Sequence, residues 1–139
     1  MSRQTELFKS AEVRTERVKR DKPRPALVHY LAMRARATEK AGAGSLLAYQ
    51  MGDFYEFFYD DAEAVGAVID LAVTRRGTFR GEPIAFAGFP KHSAGRYFEE
   101  LTKAGHTVVV CDEVKPGARY FQPSTERVLS IILTPEAAA

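Results

Sequence analysis

Two strand-like runs, residues 45–50 and 54–59, are separated by a turn at Gly52-Asp53. That spacing commits the chain to a hairpin-like pair of strands early in its length, and the rest must pack around it. In a period-2 strand starting at Phe54, Phe54, Glu56 and Phe58 share one face, and Tyr55, Phe57 and Tyr59 share the other. A carboxylate flanked by two aromatic rings on one face can be read in two ways. Either the rings are buried and Glu56 pairs with an arginine, or the face meets a ligand. A ring can stack on a nucleobase, worth roughly 1–3 kcal/mol per base. A carboxyl group beside it can accept a hydrogen bond from a base edge, or donate one if its pKa is raised.

The elements around this hairpin alternate. Residues 25–41 predict a helix, with Pro25 at its first position and Leu27, Val28, Leu31, Ala32 and Ala35 at helical spacing. Asp60-Asp61 are placed to cap a second helix running to about Asp70, with Ala62, Val65, Ala67, Val68 and Ile69 as its apolar positions. Residues 71–75 predict a strand, 76–82 a glycine-bounded turn and 84–88 another strand. A third helix is expected over 93–104, with Tyr97, Phe98 and Leu101 on one face and Gly105 closing it. The apolar run 107–110 reads as a buried strand, 116–123 as a loop and 127–133 as the last strand. The expected fold is α/β (mixed α+β): a mixed-direction sheet of about six strands flanked by helices.

A chain of 139 residues predicts one domain with a sizeable core. Its single cysteine, Cys111, rules out an internal disulfide and a multi-cysteine zinc site. No apolar run approaches the roughly 20 residues that span a bilayer, and the N-terminus is charged from Arg3 onward. These features predict a soluble cytoplasmic protein. His29, His92 and His106 have no ligand spacing and predict no metal site. The net charge of +2 is unevenly distributed, because residues 1–25 hold eight Lys/Arg against four acids. Residues 1–24 therefore form a basic N-terminal arm, read as a marginal helix, with the domain proper over 25–139. The arm is either a DNA-tracking segment or a solvated or partner-docking helix, since its charges alternate in sign. The remaining body is mildly acidic, which makes it a poor non-specific DNA binder.

The block Met51 to Ala62 resembles the signature of the mismatch-recognition domain, domain I, of the MutS family of DNA mismatch-repair proteins. Further blocks follow in the same order: Asp70 to Gly77, Gly81 to Ala94, Tyr97 to Leu101, Lys103 to Gly105, Val108 to Val114, and Val128 to Pro135. The likeness covers about residues 27–135. It implies that Phe54 wedges into the minor groove and stacks on a mispaired base, that Glu56 hydrogen-bonds that base, and that Arg75 and Arg76 form a basic turn able to touch phosphates. Discrimination would then rest on deformability, because a mismatched step kinks at lower cost. The implied partner is double-stranded DNA with a mismatch or small loop, with other repair proteins in addition and no membrane. No cofactor is implied. Lys91 stands where the family usually has an aromatic residue, and Tyr49-Gln50 replaces a more basic or apolar pair.

No Gly-x-x-x-x-Gly-Lys-Ser/Thr phosphate loop occurs in the 139 residues, so ATP binding and hydrolysis are not expected of this chain, nor is any other enzymatic activity. The basic arm and the end at Ala137-Ala138-Ala139 read as those of a stand-alone protein. Kinking duplex costs a few kcal/mol, up to ~10 in some treatments, against about 1–3 from one stacked ring. Without a clamp, binding is therefore expected in the weak range of roughly 10⁻⁴–10⁻⁶ M. If the arm compensates, DNA binding depends steeply on salt, and the salt slope flattens when residues 1–24 are removed; an unchanged slope would exclude that role. Two alternatives remain: a protein-interaction module of the repair or replication machinery, and a metal-dependent nuclease using the Glu-x-Lys of Glu113-Val114-Lys115 with an upstream acid, Asp53 or Asp70.

Overall fold

The computed structural model describes residues 25–114 and 126–135; the basic arm and the loop expected over 116–123 lie outside them. Six strands form one sheet: β1 Leu46–Met51, β2 Phe54–Phe58, β3 Thr74–Phe79, β4 Glu82–Pro90, β5 Val108–Glu113 and β6 Arg127–Leu133. Their order is β3-β4-β2-β1-β5-β6. Only β1 and β5 run parallel; every other neighbouring pair is antiparallel. Among the described residues three helices cover the sheet: α1 Pro25–Ala41, α2 Asp60–Val68 and α3 Ala94–Lys103, the last preceded by a 3-10 turn over Lys91–Ser93. The mixed sheet flanked by helices is the fold class expected from the sequence.

Strand alternation divides the core in two. On one face Tyr55, Phe57, Ala85, Ala87, Phe89, Val108 and Val110 pack with Ala62 and Val65 of α2 and Leu101 of α3. On the other, Leu47, Tyr49, Phe58, Val109 and Cys111 pack with Leu27, Tyr30, Met33 and Ala37 of α1. Tyr97 and Phe98 lie on the inner side of α3 as expected, the Tyr97 ring stacked on Phe89 at 4.5 Å. Burial pushes the Cys111 thiol up to about 12, so it stays protonated as a small core side chain.

Four local readings need correction. The buried stripe of α1 is Leu27, Tyr30, Met33 and Ala37, while Val28, Ala32 and Ala35 face outward. The large Tyr30 ring decides the helix's rotation by packing on Tyr49 and Phe58, at 5.7 and 4.8 Å between ring centres. Asp60 and Asp61 do not cap α2, since Tyr59 precedes the helix with no side-chain cap. Asp61 instead accepts the Leu47 N–H at 2.9 Å and Arg34 Nη1 at 2.6 Å, tying α1 and α2 to β1. Tyr59 adopts a positive φ of 56° and joins the α1 cluster, so the face assignment from Phe54 holds only through Phe58. Finally, β3 begins three residues later than expected, because Leu71 and Val73 pack beneath the first cluster as irregular chain. No helix among the described residues is long and apolar enough to cross a membrane.

Candidate nucleic-acid interface

The β1–β2 hairpin closes on two residues. Gly52 has φ 64° and Asp53 does not share the positive φ, which matches the backbone of a II′ hairpin turn with glycine first. Met51 and Phe54 face each other across it. Phe54 is therefore the first residue after the tip, and it is 43% exposed. Among the described residues the ring belongs to neither core cluster.

Glu56 lies two residues on, on the same face, and is mostly buried. Its cross-strand partner on β4 is Gly88. A Cβ at Gly88 would stand 2.6 Å from both Cδ and Oε1 of Glu56 and 2.7 Å from the Tyr55 carbonyl oxygen. The missing side chain is what allows the carboxyl to lie over the sheet. Oε1 is buried and has no hydrogen-bond partner among the described residues. Burial raises the Glu56 pKa from its ordinary 4.5 to about 7. The group is thus poised to change charge near neutrality, and among the described residues no arginine is hydrogen-bonded to its buried Oε1.

A cleft of about 290 Å³ opens beside Glu56, lined by Leu27, Met51, Phe58, Ile84, Phe86 and Arg76 among others. Arg76 thus lies on the Glu56 side. Arg75 points the other way, in an exposed ion pair with Glu63 of α2. Both arginines lie inside β3, at an irregularity of its pairing with β4, and not in a turn as the sequence suggested. The turn is Arg80-Gly81, with φ of 54° and 81°, the pattern of a two-residue I′ hairpin. The exposed polar run Thr74 to Thr78 lacks strand-like alternation and forms β3 because β4 offers it an edge.

Several contacts around the hairpin were missed by sequence reasoning. The Lys91 N–H donates to the Asp53 carbonyl at 2.8 Å, and its ammonium lies 5.7 Å from the Tyr55 ring centre and 4.0 Å from Asp112. Asp112 also accepts the Tyr55 hydroxyl and the Ser130 hydroxyl, each at 2.6 Å. Below the turn, Gln50, Glu113 and Arg127 form a buried polar group. Glu113, the acid of the nuclease alternative, has a side chain only 1% exposed and faces Arg127, away from any surface-bound phosphate. Lys115 lies outside the described residues. These long-range pairs join residues up to 77 positions apart, such as Gln50 and Arg127, and leave no local signal in the sequence.

Two comparisons with known proteins bear on this geometry. The family described as MutS domain I matches residues 24–138. The chain is also similar to the DNA mismatch repair protein MutS of Paracoccus denitrificans (strain Pd 1222), at 39% identity over 110 residues. That match covers 79% of this chain but only 12% of the relative's length. With a family match spanning most of the sequence and the expected mixed sheet beneath it, the chain belongs to the MutS domain I family, the mismatch-recognition domain of mismatch-repair proteins.

Proposed function

We propose that this domain binds duplex DNA at a mismatch or small loop, inserting Phe54 at the weakened step and hydrogen-bonding the displaced base through Glu56. The observation that carries this reading is the pairing of an exposed ring with a buried, unpartnered carboxyl oxygen on the same face at a hairpin tip. Arg76, on the Glu56 side, supplies positive charge near the backbone, as does Lys91 beside the turn. Arg75 joins them only if it leaves Glu63, an exposed pair worth at most about 1 kcal/mol. Binding by this chain alone is weak, it needs no cofactor, no reaction is catalysed, and the setting is the cytoplasm. The direct test is fluorescence anisotropy of a labelled duplex carrying one G·T mismatch or one unpaired T, against its perfect counterpart. Equal affinity for all three would defeat the reading.

The Glu56 carboxyl gives this reading a pH signature. Its neutral form donates a hydrogen bond to a base and is not repelled by nearby phosphates. With a pKa near 7, the neutral fraction drops about tenfold between pH 6 and pH 8. Mismatch affinity should fall over that interval by up to about the same factor, while Glu56→Gln, always neutral, should bind with a flat profile. Stability has the matching sign. The folded state holds a proton that the unfolded state has lost between pH 4.5 and 7, so stability falls as pH rises through that window and levels off above it. A wild-type binding curve as flat as that of Glu56→Gln would remove Glu56 from the contact.

One observation favours a second reading, a docking module for other repair proteins. The edge strand β6 exposes Val128, Ile131 and Ile132, at 44%, 52% and 40%. A partner held by that edge would bind the Phe54→Ala variant as it binds wild type, whereas mismatched DNA would bind it less tightly.

A further inference from the structure

We infer that the buried Glu113–Arg127 pair, together with Gln50, is a positioning unit that fixes the Gly52-Asp53 turn, and with it Phe54, before DNA arrives. This rests on the reading of Phe54 as the inserted ring. The turn is held from beneath at both polar groups of Gly52. Its N–H donates to Glu113 Oε2 at 3.1 Å, and its carbonyl accepts Gln50 Nε2 at 2.9 Å. Gln50 is itself clamped: its Oε1 accepts the Glu113 N–H at 2.8 Å, and its carbonyl accepts Arg127 Nε at 3.0 Å. Arg127 Nη2 reaches the same Glu113 oxygen at 3.2 Å, and its guanidinium lies 4.7 Å from the Tyr49 ring centre. The two charged side chains are 0% and 1% exposed.

Stability alone is a poor reason for this arrangement. A buried ion pair replaced by apolar side chains of similar size is often neutral or stabilising. Apolar side chains cannot orient a peptide group, and a charge-assisted hydrogen bond to the Gly52 N–H in a dry site can. A two-residue tip held only by its own ladder would fluctuate, and a ring that must enter a base step works when held to within about half an ångström. Ordering a mobile ring on binding subtracts from affinity. The pair converts a loose tip into a preset wedge.

The test uses the full chain and two variants. Glu113→Leu with Arg127→Met removes both charges together and avoids stranding a buried ion. Glu113→Gln with Arg127→Met returns an acceptor oxygen to the Gly52 N–H. The first readout, amide exchange followed by NMR, needs no DNA. In the Leu/Met variant Gly52 should exchange at least tenfold faster, while Leu47 and Val109 in the sheet centre keep their protection. In the Gln/Met variant most of that loss should be restored. The second readout is the ratio of affinities for mismatched and perfect duplex, which should fall several-fold in the Leu/Met variant and recover in the other. Unchanged Gly52 exchange would overturn the inference, as would a uniform loss of protection across the sheet, which would mark the pair as merely structural. If the wild type shows no preference for a mismatch, the reading of Phe54 fails, yet Gly52 exchange still decides whether the pair holds the turn.

Discussion

Phe54→Ala should remove the proposed preference for mismatched over perfect duplex and leave the fold in place. The ring is 43% exposed, and β2 continues beneath it through Tyr55, Phe57 and Phe58, which are all buried. Truncation therefore opens no cavity, and the change in stability should stay within about 0.5 kcal/mol, as for ordinary surface positions. Binding is a different matter. A stacked ring contributes roughly 1–3 kcal/mol per base, so affinity for the mismatch should drop about 5- to 150-fold. Affinity for perfect duplex, which comes largely from phosphate neutralisation, should change far less. Phe54→Tyr keeps the ring and should keep most of the discrimination. The check is anisotropy on matched and mismatched duplexes for the three proteins, with melting temperatures alongside. A Phe54→Ala protein that melts like wild type and still prefers the mismatch would show that the ring is not the reader.

The second large effect is expected at a residue without a side chain. Gly88→Ala places a methyl group 2.6 Å from the Glu56 carboxyl and 2.7 Å from the Tyr55 carbonyl oxygen. The carboxyl can swing away, but the carbonyl belongs to the β2 backbone, paired with β4 at that point. Overpacking of this kind costs about 1–3 kcal/mol, which should lower Tm by roughly 4–15 °C for a domain of this size. Glu56 should also lose the buried position that raises its pKa, so any surviving mismatch binding should lose its dependence on pH between 6 and 8. Gly95→Ala is the control. It lies in α3, a Cβ there meets nothing within 4 Å, and alanine in a helix is favoured over glycine by about 0.5–1 kcal/mol. Equal melting temperatures for the two variants would mean that β2 and β4 yield at Gly88 without strain.

These two residues mark the two ways in which the site could be read. Phe54 was legible as a candidate because the signals for it are local: a two-residue turn, an alternating strand and a family signature all lie within a dozen positions. Glu56 was legible as a candidate for the same reason, but its orphaned oxygen was not. That depends on Gly88, 32 positions away, which the sequence shows only as one glycine inside an apolar strand. The misplacement of Arg75 and Arg76 has the same origin. Their run is too polar to look like a strand, and β4 alone makes it one.

Local chemistry by itself determined the hairpin and its turn, the span of α1 from Pro25 to Ala41, the span of β6 from Arg127 to Leu133, the α/β class and the family. Each rests on periodicity, turn residues or short motifs, all of which act between near neighbours in the chain. Only the tertiary structure decided which face of α1 is buried, where Asp61 and Arg75 find their partners, and that Glu113 and Arg127 meet beneath Gly52. Those outcomes follow from volume and charge matching across strands that are distant in sequence. A tyrosine ring large enough to choose the helix's rotation, or a buried charge that must find its counter-ion, reveals its role only once the sheet has assembled.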